Sequence, residues 1–298
     1  MRLPYLLVDA FAEAPGSGNR AAVLFAGTAL EESAMKAIPT SLGVNEAVFV
    51  SEETDHEYRI RFFTARRELR FAGHAAIAAA IAIHKQRNLS GKKDRIVLKT
   101  IAGDVAVWYR LESGALIAVL REPDPKFRET PRWATISAIL EALGGNERYL
   151  HRGLPAGIAF SGLWSLLLPL VAPGLADELE PDYAKLAELS DDLRVDTIHV
   201  YAPLGPRSYY ARDFAPSLGI SEDPVTASAN GALAALLARA GVVPRREGSA
   251  EIRIYQGYSM GIPGRVNVKV EYSISGEPLA VYVGGSAVIV KSGFVEVK

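Results

Sequence analysis

The same series of motifs runs through this chain twice, in the same order, at an offset of about 150 to 160 residues. Ser17-Gly18 leads into the apolar run AAVLF, and Ser161-Gly162 leads into LWSLLLP. VNEAVFV at 44–50 is matched by RVDTIHV at 194–200, with Glu46 opposite Asp196. RFFTARRELRFAGHAAIAAA at 61–80 is shadowed by ARDFAPSLGISEDPVTASANGALAAL at 211–236, and GDVAVWYRLESGALIAV at 103–119 by GRVNVKVEYSISGEPLAV at 264–281. Any one match is within reach of chance, but four in a common order require two copies of one fold. Between them REPDPKFRETPRW, at 121–133, has the charge and proline of a linker. The boundary is therefore expected near residue 125, giving an N-terminal half at 1–125 and a C-terminal half at 126–298, with the final strand free to return to the first half.

Each copy holds many short β-branched strands and one apolar helix, AAIAAAIAI at 75–83 or ALAALLARA at 232–240. Neither helix carries a wide charged face, so each is expected to be enclosed by the strands of its own half. The expected fold is α+β, with two pseudo-symmetric halves, each a barrel-like mixed β-sheet wrapped around a central apolar helix. A helix swallowed by a sheet presents free N–H groups and about half a positive charge at its mouth. Two such mouths facing one cleft across a pseudo-twofold axis would hold an anion, such as a substrate carboxylate, without a fixed cation.

Composition narrows the chemistry. Apolar residues make up 49% of the chain, ample for a core, and the net charge of -1 comes from interspersed acids and bases. That distribution lacks the one-sided field that nucleic acid or an anionic membrane surface requires, which leaves a small molecule as the expected partner. No 18-residue apolar stretch avoids charges, and MRLPYLLVDAF reaches Asp9 too soon for a signal peptide, so a cytoplasmic location is expected. Cysteine is absent, which removes disulfides, thiolate metal sites, thiol nucleophiles and two-thiol racemase chemistry together.

Candidate catalytic groups lie at the helix mouths and on one strand. His74 follows Gly73 at the first mouth, and Asp223 precedes Pro224 at the second. Each also has a structural reading: a satisfied imidazole for His74, and for Asp223-Pro224 an N-cap followed by the first helical residue. In VNEAVFV, alternation puts Glu46 on the face of Val44, Val48 and Val50, which packs inward. A carboxyl there is either paired or desolvated, and desolvation raises its pKa toward the range of a general acid or base. A buried glutamate capping backbone N–H groups is the structural alternative, and Asp196 is expected to be its structural counterpart in the second copy. GSGNRA at 16–21 fits a dinucleotide-binding pattern, but a second strand, not a helix, is expected from Ala21 to Phe25. There is no phosphate loop, and no H-x-x-x-H or H-E-x-x-H among the five histidines, so no metal site and no cofactor is expected.

GSGNRAAVLF, NEAVFV, ELRFAGHAAIAAA, EDPVTASANGAL and QGYSMGIPGRVNV resemble, in order and over most of the chain, the signature blocks of the phenazine-biosynthesis isomerase (PhzF-like) family. The resemblance implies the diaminopimelate epimerase-like fold, which agrees with the repeat. It also implies a branch that replaces two cysteines by a glutamate, a histidine and an aspartate, roles that fall on Glu46, His74 and Asp223. Family members commonly read GNP, ELPFAGHP and EDPATGSA, whereas this chain has Arg20, Arg70, Ala75 and Ala227 at the differing places. The expected activity is a cofactor-independent isomerase that shifts a proton within a small unsaturated or cyclic carboxylate. Gly18, Asn19, Gln256 and Gly257 would line the site, and the N–H groups around Gly73 to Ala75 and Thr226, Ala227 and Ser228 would stabilise developing charge. An amino acid racemase or epimerase and a non-catalytic metabolite-binding protein remain as alternatives, and the resemblance implies a homodimer.

Overall fold

Short runs rich in valine, isoleucine and aromatic residues become strands here, and the two alanine-rich runs become helices, as side-chain shape dictates. The computed structural model describes residues 1–25, 30–54, 56–87, 95–112 and 114–296. The chain forms two units, Met1–Arg121 with Gly284–Lys298, and Glu122–Val283. The first contains β1 (Arg2–Ala10), β2 (Asn19–Phe25), α1 (Glu32–Leu42), β3 (Glu46–Glu52), β4 (Glu57–Phe63), β5 (Glu68–Leu69), α2 (Gly73–Arg87), β6 (Arg95–Thr100), β7 (Gly103–Glu112) and β8 (Ala115–Arg121). The second contains β9 (Lys126–Arg128), α3 (Trp133–Ala142), β10 (Gly157–Phe160), β11 (Trp164–Pro169), α4 (Pro173–Asp177), α5 (Tyr183–Leu193), β12 (Thr197–Gly205), β13 (Ser208–Ala215), β14 (Ile220–Asp223), α6 (Ala227–Arg239), β15 (Ser249–Gln256) and β16 (Gly264–Tyr272). The last strand, β17 (Pro278–Glu296), begins in the second unit and continues into the first.

Among the described residues of the first unit, eight strands close a ring. β1 is antiparallel to β2, β2 parallel to β3, β3 antiparallel to β4, β4 parallel to β6, β6 antiparallel to β7 and β7 to β8, and β17 closes against both β8 and β1. Helix α2 packs on β1, β2, β3 and β8, and every residue from Gly73 to Ile83 is buried. Alanine is the best helix former and also the side chain that lets surrounding strands come close. Charge enters only in the last turn, at Lys85 and Arg87, where it complements the negative end of the helix. On the other face of the sheet α1 lays Met35 and Ile38 against Leu24, Ala47, Phe49 and Phe63.

The second unit repeats this pairing. β9 is antiparallel to β10, β10 to β11, β11 is parallel to β12, β12 antiparallel to β13, β13 parallel to β15, and β15 antiparallel to β16. Helix α6, buried from Ala227 through Ala235, packs on β10, β11, β15 and β16, while Ile136, Ile139 and Leu186 cover Ile198, Val200 and Phe214 on the opposite face. No helix among the described residues is long and apolar enough to cross a membrane.

Strand pairing also fixes which residues correspond, and corrects one equivalence drawn from the motifs. In the first unit Ala22, Ala47 and Phe63 pair across β2, β3 and β4 and share one cluster; in the second, Leu166, Ile198 and Phe214 do the same. Ala47 therefore matches Ile198, and Glu46 matches Thr197, not Asp196. The helix ends agree: Gly43 and Arg194 both cap with left-handed backbone, at φ 65 and 52, four residues before Ala47 and Ile198. A one-residue slip in a strand moves a side chain to the opposite face, so Asp196 does not share the setting of Glu46. Instead its carboxylate accepts the Trp164 N–H at 2.7 Å, fastening the entry to β12.

Candidate active site

In the first unit the parallel pairing of β2 with β3, which sets Ala21 beside Glu46, brings Asn19 and Glu46 to the same end of the ring. Glu46 opens β3 and His74 is the second residue of α2, and the two meet with Nε2 3.4 Å from Oε2. Both are buried, at 7% and 8% exposure. The first intrahelical bond of α2 runs from the Ala76 N–H to the Ala72 carbonyl, at 2.9 Å, so the N–H groups of Gly73, His74 and Ala75 belong to the open first turn. A carboxyl and an imidazole thus stand close together, largely shielded from water, at the positive end of a helix.

The loop before Asn19 is pinned by a pair the sequence did not flag. Asp9, 1% exposed, accepts Arg20 Nε at 2.6 Å and Nη2 at 2.9 Å, and also the Gly16 N–H at 2.8 Å. Arg20, one of the departures from the family pattern, thus closes the loop by a two-pronged bond that proline cannot make. Gly18 has φ +73, and a Cβ there would lie 2.2 Å from the Ala10 carbonyl oxygen, so close backbone approach alone demands glycine. Arg20→Ala leaves the Asp9 carboxylate with the Gly16 N–H alone and, the guanidinium being 42% exposed, is expected to destabilise the protein by about 1 to 2 kcal/mol in urea unfolding, with Arg20→Lys recovering only part, since one ammonium cannot replace the fork.

In the second unit the mouth of α6 is different chemistry. The N-cap of α6 is Thr226, while Asp223 ends β14, so the reading of Asp223-Pro224 as N-cap and first helical residue does not hold. Asp223 instead reaches the cap: the Thr226 hydroxyl lies between Asp223 Oδ2, at 2.6 Å, and Asp213 Oδ2, at 2.8 Å. Asp213 Oδ1 is 3.0 Å from His199 Nδ1, and both residues are completely buried. In the first unit the corresponding cross-strand pair is Val48 with Phe62, so only the second helix stands on a polar base. Gln256 ties this base together. Its Oε1 accepts the Thr226 N–H at 3.1 Å and Asn230 Nδ2 at 2.7 Å, and its Nε2 donates to the Asp223 carbonyl at 2.8 Å and to Thr226 Oγ1 at 3.2 Å. That uses all four positions of the amide. Gly257, at φ +85, has the Ile262 carbonyl oxygen 2.4 Å from where a Cβ would sit.

Strand β14 is itself braced. Arg212 donates from Nε to Glu222 Oε1 at 2.9 Å and from Nη2 to Oε2 at 2.8 Å, and its Nη1 reaches the Ala176 carbonyl at 2.6 Å. A second buried acid, Glu122, accepts the Ser228 hydroxyl on Oε2 at 3.2 Å, and burial pushes its carboxyl up to about 8. Sequence reading missed His199, Asp213, Asn230, the Arg212–Glu222 brace and Glu122. Each is defined by a partner distant in the chain, and Glu122 lay within what read as a linker. The alternation of His199 against Ile198 and Val200 was the one local signal available.

Residues 8–293 match the family model described as phenazine biosynthesis-like protein, PhzC-PhzF. An uncharacterized isomerase of Deinococcus radiodurans is 41% identical over 293 residues, covering 97% of this chain and 93% of that protein. A trans-2,3-dihydro-3-hydroxyanthranilate isomerase of Pseudomonas aeruginosa is 30% identical over 269 residues, 90% of each chain. Among solved structures, the Bacillus anthracis phenazine biosynthesis protein of the PhzF family superposes with a TM-score of 0.89 at 24% identity over 100% of both chains. Matched over nearly its whole length, with the repeated strand-and-helix units in place, the chain belongs to the phenazine biosynthesis-like (PhzC-PhzF) family of isomerases.

Proposed function

We propose that this isomerase moves a proton within a small unsaturated or cyclic carboxylate without a cofactor, with Glu46 taking the proton from one carbon and returning it at another. The observation that supports this most is the Glu46–His74 pair, buried, 3.4 Å apart and set at the open first turn of α2. A carboxyl carries one exchangeable proton and, when shielded from water, can deliver the one it has taken. His74 orients the substrate and helps to stabilise the charge that develops on it. The N–H groups of Gly73 and Ala75 stabilise negative charge as it develops on the substrate. Within the second unit, Asp223, held on Thr226, is assigned a hydrogen bond to a polar group of a ligand, and the first-turn N–H groups at Ala227 and Ser228 take a ligand carboxylate.

The isomerase named for the Pseudomonas aeruginosa relative points to the substrate class. Following trans-2,3-dihydro-3-hydroxyanthranilate and a panel of simpler cyclic and unsaturated carboxylates by proton NMR in heavy water tests the proposal. Migration of a double bond supports it. Exchange and inversion at a single α-carbon with no double-bond shift would make the protein a racemase instead, and tight binding with neither change would make it a binding protein.

A further inference from the structure

Glu122 is a buried acid that proton transfer by Glu46 leaves unused. It follows β8, and its side chain is 1% exposed. Ser228 Oγ donates to its Oε2 at 3.2 Å, while Oε1, also buried, has no hydrogen-bond partner among the described residues. Room for this contact depends on Gly162, at φ +102. A Cβ there would lie 2.5 Å from Ser228 Oγ and 2.9 Å from Glu122 Oε2.

Ser228 is the second residue of α6, as His74 is of α2. Each central helix therefore begins with a side chain held against a buried glutamate, His74 with Glu46 at 3.4 Å and Ser228 with Glu122 at 3.2 Å. The two glutamates come from different places in the repeat, one opening β3 and the other directly following β8, so the likeness does not follow from the duplication. Burying a carboxyl costs several kcal/mol if it is ionised and much less if it is neutral.

We propose that Glu122 is a positioning residue of the substrate site: it fixes the Ser228 hydroxyl at the first turn of α6 and, as a neutral acid, leaves that turn able to accept a small carboxylate that its ionised form repels. This rests on the assignment of the α6 turn to the substrate carboxylate. Among the described residues, the groups that touch Glu122 do not titrate. Helix α6 presents Ser228, the turn between β10 and β11 presents Gly162, and β17 presents the Val281 carbonyl to the Glu122 N–H at 2.9 Å. Burial alone raises the carboxyl to about 8, with the Ser228 bond pulling the other way and no charged group contributing. Because the folded value lies above the ordinary 4.5, the folded protein keeps between those two pH values a proton that the unfolded chain has lost, and stability falls as pH rises through that window.

Benzoate, ionised throughout the range, serves as the probe, with its affinity measured by calorimetry from about pH 7 to 9.5. Wild type should bind evenly up to about pH 8 and then lose about tenfold per pH unit. Glu122→Gln, neutral and still able to accept the Ser228 hydroxyl, should match wild type within about threefold at pH 7 and stay flat to 9.5. Ser228→Ala should bind more weakly at pH 7 but keep the fall. A flat wild-type profile, or a Glu122→Gln profile that falls as wild type does, overturns the role given to Glu122. No binding by wild type at any pH overturns instead the assignment of the α6 turn to a carboxylate. If the glutamine variant fails to fold, the wild-type profile still decides.

Discussion

Glu46→Gln lowers turnover by at least about a hundredfold while fold and ligand affinity survive, because the amide keeps the size and hydrogen-bonding shape of the side chain but cannot carry a proton between carbons. The proper comparison is Thr197, which strand pairing places at the equivalent position of the second unit, where its hydroxyl meets Ser165 Oγ at 2.9 Å. Thr197→Val leaves Ser165 without that partner and should cost about 1 kcal/mol of stability, yet leave turnover within about threefold. Two sites alike in backbone setting are then separated by chemistry alone. Steady-state kinetics on the first carboxylate that wild type isomerises checks both variants.

The largest effect on stability is expected at Arg212. Its guanidinium spans Glu222 with two bonds and ties the Ala176 carbonyl, and both side chains are over nine-tenths buried. Arg212→Leu fills much of the same space but leaves the Glu222 carboxylate buried without its cation, a loss of about 3 to 5 kcal/mol by urea unfolding. Glu222 precedes Asp223 directly, so turnover should fall in this variant even at low temperature, where the protein remains folded. Arg212→Lys should recover less than half of the stability, since a single ammonium cannot match both carboxylate oxygens in the plane.

The architecture was legible because periodicity reports it directly. Alanine runs without a charged face can only be enclosed helices, and two copies of one motif order leave little freedom in topology. A buried acid was also readable where a residue breaks the pattern around it, as Glu46 does among valines. Register was not. Matching Glu46 to Asp196 by acidity was off by one residue, and nothing in a strand's own sequence reveals such a slip. What corrected it was the pairing of Ala47 with Phe63 and of Ile198 with Phe214. The polar base under α6 was hidden for a related reason. His199 and Asp213 come from two different strands, and each alone reads as an ordinary strand residue; Thr226 and Gln256 were expected at the site only through the family resemblance. Glu122 was obscured by its charged, proline-rich neighbours, which suggested a solvated linker where the side chain in fact turns inward.

The central claim is that one buried carboxyl takes a proton and returns it. Substrate deuterated at the donor carbon, converted by wild type in ordinary water over a single turnover, tests this most directly. If Glu46 carries the label in a site closed to water, mass spectrometry and NMR of the product will find a measurable share of the deuterium at the receiving carbon. Product formed at the full rate with all of the label lost to solvent would contradict the account, because the proton would then have left through water or through a group that exchanges freely.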